Sequence, residues 1–225
     1  MIGLAAMNRT IKISRYMRRA AGDFAADRRA LAAVEFAFIL PLMLVLFFGT
    51  IEFSTGIAVD RKVSLTANTL SNLLSETPGV SPGDSATITD TDLQNIFTAS
   101  IAVMMPYRPT PTNAQISQVY VDSSGVARVQ WSRAATIASG ATQATLTSST
   151  HSPGDVITIP SPLVVNRTYL ILSEVSYRYV PTIGYVMASS GVNLNDVSYS
   201  RPRQSSCIVY NNVPVLVGNT TCPLP

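Results

Sequence analysis

Between Ala30 and Ile51 the chain runs 22 residues with a single charge, Glu35. At about 1.5 Å per residue a helix of that length matches the roughly 30 Å hydrocarbon core of a bilayer. Thirteen Leu, Ile, Val and Phe residues lie between Leu31 and Ile51. Together they favour insertion by roughly 4 to 8 kcal/mol, against about 2.5–3.5 kcal/mol for one acid at the centre and less near an end. Insertion wins despite Glu35. Pro41 sits mid-run, where a membrane helix tolerates a kink.

The flanks set the orientation. Residues 1–34 carry net +5, including Arg9, Lys12, Arg15, Arg18, Arg19, Arg28 and Arg29; residues 35–225 carry net −2. Only Arg61 and Lys62 follow the run closely. This asymmetry predicts a cytoplasmic N-terminus and an exported C-terminal bulk. A basic head on an apolar run is a membrane signal and argues against nucleic-acid binding, which spreads basic residues over a folded face. A cleaved secretory signal would have a shorter apolar core and an A-x-A-like exit. Here the run ends in Thr-Ile-Glu-Phe-Ser-Thr-Gly56. The chain therefore divides into a basic cytoplasmic tail (1–29, with Met7 an alternative start), a transmembrane helix (30–52), an exported continuation of that helix (53–76) and an exported α+β domain (77–225).

Val59, Val63, Ala67, Leu70 and Leu74 recur in steps of four, four, three and four. That is one helical face, so a single helix is expected from about Arg28 to Glu76, ended by Thr77-Pro78-Gly79. Residues 77–90 read as a loop. Thr91-Asp-Leu-Gln94 resembles a capping box opening a helix from Asp92 to about Met104, with Leu93, Phe97 and Ile101 in the core. Beyond Pro106 the texture becomes that of strands. Gln118–Asp122 and Val126–Trp131 around Ser-Ser-Gly125 read as a hairpin, with Ala127, Val129 and Trp131 on one face and Arg128, Gln130 and Ser132 on the other. Residues 135–155, rich in Ala, Ser, Thr and Gly, read as a mobile loop. Tyr169–Tyr179 alternates again, with Glu174 and Arg178 opposite the tyrosines, and a last strand covers Cys207–Tyr210. The expected fold class is α+β, with an antiparallel sheet.

Cys207 and Cys222 are the only cysteines, both on the exported side. An even count in an oxidising compartment suggests a disulfide, worth roughly 3 kcal/mol for a loop of about 16 residues.

Nothing in the sequence assembles a catalytic, cofactor or metal site. Gly79-Val-Ser-Pro-Gly83 matches the G-x-S-x-G pattern around Ser81, but that elbow needs a strand before it and a helix directly after it, and prolines surround this one. His151, the only histidine, reads as a solvated loop residue. Asp90 and Asp92 suit a helix start better than calcium, which wants more oxygen ligands. The expectation is a protein without catalysis.

Glu35 admits two readings. It is an acid tolerated near the cytoplasmic interface, with Arg28 about 10 Å away on the same face, or it needs a partner cation inside the membrane. The motif Ala30-Leu-Ala-Ala-Val-Glu35-Phe36, led by Arg28-Arg29 and followed by Ile39-Leu-Pro-Leu42 and Ile51-Glu-Phe53, resembles the TadE/TadG-like proteins of tight-adherence (Flp) pilus assembly. It also resembles prepilin processing sites. Cutting between Ala30 and Leu31 would make Glu35 the fifth residue and Phe36 the sixth, with Ala30 where such sites usually carry Gly. Glu174-Val-Ser-Tyr-Arg-Tyr-Val-Pro181 resembles a strand of the family's exported domains. The resemblance implies a pilin-like bacterial inner-membrane component acting with other pilus-machinery subunits, with membrane lipid and with a prepilin peptidase. Glu35 and Phe36 would then mediate helix–helix assembly. A membrane-tethered periplasmic binding or sensor domain is the alternative.

Overall fold

A computed structural model describes residues 28–79, 85–107, 112–138, 141–181 and 190–211, with side chains from Leu31 onward. The chain divides into two units, Met1–Glu52 and Phe53–Pro225. In the first, the described residues are helical throughout, with Pro41 inside the helix. That helix, α1, covers Arg28–Ser75 and so continues into the second unit.

In the second unit, Val59, Val63, Ala67, Leu70 and Leu74 are all fully buried and form one stripe of the main core. This is the face that the heptad-like spacing predicts. Pro78, which has no N–H to continue the ladder, follows the helix end, and the Arg203 amide donates to the Ser75 carbonyl at 2.8 Å.

The second unit is α+β. Its elements after α1 are β1 (Ala86–Ile88), α2 (Asp90–Ala102), β2 (Thr112–Val121), β3 (Ala127–Thr136), β4 (Thr145–Thr147), β5 (Val156–Ile157), a 3-10 turn (Ser161–Leu163), β6 (Thr168–Tyr179), β7 (Val192–Ser200) and β8 (Ile208–Tyr210). An antiparallel sheet runs β4-β3-β2-β6-β7, with β5 also on β3. β1 and β8 form a separate parallel pair. One sheet face, with Ala114, Ile116, Trp131, Ile171, Val175 and Tyr177, packs against the α1 stripe and against Leu93, Phe97 and Ile101 of α2. Serines pin α1 to the sheet: Ser173 Oγ donates to the Ala67 carbonyl at 2.6 Å, and Ser200 Oγ to the Ser71 carbonyl at 2.9 Å. Trp131 Nε1 donates to the Ile208 carbonyl at 2.7 Å, and the Ile208 amide donates to Gln118 Oε1 at 2.6 Å. These two bonds tie β8 to the sheet.

Several expectations change. The register between β2 and β3 shifts at Gln118/Val119: Gln118 opposes Trp131, but Val119 opposes Val129. Gln130 is the extra residue of a β-bulge. A slip of one residue moves every side chain beyond it to the other face. Trp131 therefore enters the main core, while Ala127 lies in a second cluster on the opposite face with Val119, Val121, Leu170 and Leu172. The strict alternation read through Trp131 does not hold.

Residues 135–155 are not a single loop, because Ala134–Thr136 pair with Thr145–Thr147. The segment 77–90 contains β1. The capping box sits two residues earlier than expected: Thr89 is the N-cap, its hydroxyl accepts from the Asp92 amide at 3.3 Å, and the Asp92 carboxylate accepts from the Thr89 amide at 3.0 Å. Asp90 instead accepts from the Tyr210 hydroxyl and lies 3.9 Å from Arg133. The last strand runs parallel to its partner, because β1 reaches it from the α1 end of the chain and not through a hairpin. Cys207 is buried and disulfide-bonded; Cys222 lies outside the described residues.

Candidate functional site

From Leu31 to Phe48 every side chain is exposed, Phe38 by 80 %. Soluble monomers do not leave a continuous apolar surface of this extent to water. The helix is long and apolar enough to cross a membrane and is a candidate membrane span. A coating of lipid satisfies it without protein contacts, because every backbone group within the helix interior is already bonded internally.

Glu35 projects from this surface. Its neighbours three and four positions away are Leu31, Ala32, Phe38 and Ile39, the residues a helix places on the same face. None is a cation, so the adjoining turns of the helix offer no counter-charge. Glu35 has no hydrogen bond or ion pair among the described residues. Sixteen positions separate it from Ile51, about 24 Å along the axis, so it lies near one end of the span, where a charge costs less. Phe36 and Leu31 are likewise exposed. The Ala30–Leu31 bond is inside α1, and Arg28 and Arg29 are in its described backbone. Arg18 and Arg19 lie outside the described residues, as does Ser81. Sequence reasoning passed over Glu52, which is 4 % exposed although it follows directly on the apolar run. Its place in Ile51-Glu-Phe53 was the available signal.

A second assembly lies on the outer sheet face. A cleft of about 460 Å³ is lined by Gln115, Thr136, Thr150, Glu174, Ser176 and Asn195 among others. At its rim Glu174 Oε2 accepts from Gln115 Nε2 at 2.5 Å and is 2.8 Å from His151 Nε2. Gln115 Oε1 in turn accepts from Ser149 Oγ at 3.0 Å and Thr150 Oγ1 at 2.9 Å. His151 is thus a partnered residue and not the freely solvated one its Ser/Thr-rich surroundings suggest. Burial, and then the Glu174 charge, raise the Tyr199 phenol above its ordinary range. The pairing of β2 with β6 places Gln115 opposite Glu174. A local reading of the sequence has no access to that juxtaposition. Among the described residues no hydroxyl is bonded to the His151 ring, and no group of three or more His, Cys, Asp or Glu could hold a metal.

The family model for TadE-like protein matches residues 31–69. No curated protein and no solved structure matches the chain. The matched segment takes in Glu35, the apolar surface and the first half of the stripe that packs on the sheet. It suggests a role related to the Tad pilus. Over residues 31–69, the chain is similar to TadE-like proteins.

Proposed function

We propose that this chain is a pilin-like inner-membrane component that assembles or primes a tight-adherence type IVb (Flp) pilus, without catalysis of its own. The observation that carries the reading is Glu35: an acid on an exposed apolar helical face, with no cation within one turn of it, inside the TadE-like segment. The basic residues before the span keep the N-terminus in the cytoplasm and send the second unit to the periplasm.

Pilin-like helices pack side by side, so a neighbouring subunit supplies the positive group that Glu35 lacks. After a cut between Ala30 and Leu31 that group is the freed amine of the neighbour; without a cut it is the neighbour's Arg28 or Arg29. A pair of this kind sets register more than it adds stability. The Glu35→Gln variant should insert normally and lower pilus output or incorporation. Equal piliation would refute the role given to Glu35. The intact mass of membrane-extracted protein separates the two cases, since a chain beginning at Leu31 identifies processing.

The outer cleft favours a second reading, a membrane-tethered periplasmic binding domain. Its walls carry amides, hydroxyls and the two carboxylates of Glu174 and Asp196 beside alanine and valine side chains, a lining suited to a small ligand with polar groups. Unchanged piliation in Glu35→Gln together with saturable binding of a small polar ligand by the full chain would favour it.

A further inference from the structure

β6 and β7 run antiparallel with Ile171 opposite Ser200. Arg167, just before β6, and Arg201, just after β7, therefore stand at the same end of this strand pair, three register positions apart, at the end where α1 terminates against Arg203. Between them is a pocket of about 260 Å³, lined by both arginines and by Tyr169 and Ser205 among others. It lies away from the outer cleft and shares no residue with it.

Three independent features point to one kind of ligand. The first is charge. Among the described residues no Asp or Glu lines the pocket, and neither guanidinium has an ion pair or a hydrogen bond. The nearby Arg203 differs, since it is 3.8 Å from Glu76 and donates to Asn72 Oδ1 at 3.2 Å. Two unpaired arginines hold adjacent positive charge that only an anion relieves.

The second feature is a pair of orphaned hydroxyls. Tyr169 is 6 % exposed and Ser205 is 8 % exposed, and neither side-chain oxygen has a hydrogen-bond partner among the described residues. Such groups are rare in native structures and costly unless something meets them. Burial, and then the neighbouring Tyr120, raise the Tyr169 phenol far above its ordinary range, so it remains a donor at any physiological pH.

The third feature is backbone. Arg167 has φ +59°, the left-handed region where Gly or Asn is at ease and a long side chain is not. Its amide is held there by the Val121 carbonyl at 2.8 Å. Strain of this sort persists where the side chain has a use at that point.

We propose that this pocket binds a compact oxyanion, a phosphate or a carboxylate group, clamped by the Arg167 and Arg201 guanidinium groups and capped by the Tyr169 and Ser205 hydroxyls. A cation is excluded by the arginines. An apolar ligand leaves both hydroxyls unmet, and simple solvation of the arginines leaves them unmet as well.

The test is calorimetric titration of the full chain, in uncharged detergent micelles, with sodium phosphate, sodium acetate and sodium chloride at matched ionic strength. Saturable one-site binding of phosphate or acetate, and not of chloride, is expected; the tighter of the two identifies the anion class. Arg201→Gln should weaken binding at least tenfold. Arg167→Gly and Tyr169→Phe should do the same while raising the melting temperature of the free chain, because one relieves strained backbone and the other removes an orphaned hydroxyl. That combination of lost binding and gained stability does not arise from a merely structural role. The proposal is overturned if neither anion binds saturably, if chloride binds equally well, or if Arg167→Gly and Arg201→Gln combined keep wild-type affinity.

Discussion

Leu70→Ala tests whether the distal half of α1 belongs to the core of the second unit or merely extends from the membrane. Leu70 has no solvent exposure, and its neighbours on the stripe, Ala67 and Leu74, have none either. Little of the surround can collapse into the space left, so the loss should fall within the roughly 3–5 kcal/mol seen for fully buried leucines. For a unit of this size each kcal/mol lowers the melting temperature by about 2–4 °C, which gives a shift of roughly 6–20 °C. Trp131, the only tryptophan in the chain, is buried on the same sheet face and bonded to Ile208. Its fluorescence therefore reports loss of the core. The control is Leu65→Ala on the same helix, where Leu65 is 52 % exposed and truncation should cost no more than about 0.5 kcal/mol. The assay is thermal unfolding of both full-length variants in uncharged detergent, followed by Trp131 emission. Equal melting temperatures for the two would refute the packing of α1 on the sheet.

Three further outcomes follow from single contacts. Gly191→Ala should destabilise by more than about 1 kcal/mol, because φ is +83° and the added Cβ would lie 2.8 Å from the Tyr179 carbonyl oxygen; urea unfolding measures it. Trp131→Phe should cost about 1–3 kcal/mol, as the Ile208 carbonyl loses its donor in a buried setting; circular dichroism melts read the change. Asp92 is held below the usual carboxylate range by its side-chain and backbone hydrogen bonds with Thr89. Its contribution is present above the unfolded value of about 4 and is lost as pH falls through the lower folded value. Thr89→Ala should therefore destabilise most at pH 6 and by less as the pH drops through that folded value, the remaining loss being the N-cap bond to the Asp92 amide, in melts recorded across the range.

The membrane-span candidate and its acid were legible in the chain because lipid compatibility depends on local composition: an uninterrupted run from Leu31 onward needs no tertiary partner to define it. The buried stripe from Val59 to Leu74 was legible for a similar reason, since helical geometry converts spacing into a face. Strands around Val121, Trp131 and Tyr177 also announced themselves through alternation. Tertiary structure alone decided which face each strand residue serves. The bulge at Gln130 arises from pairing between β2 and β3, and it turns Ala127 and Val129 away from Trp131 without any Gly or Pro to mark the place. β7 was unreadable because its inward residues include Ser198 and Ser200, polar side chains made acceptable by bonds to Asn68 and Ser71 of α1. The meeting of His151 with Glu174, and the placing of Arg167 and Arg201 on one pocket, depend on strand pairing between segments distant in sequence. A one-dimensional pattern records what each segment can bury. Which polar groups converge is determined only when backbone hydrogen bonding fixes the register.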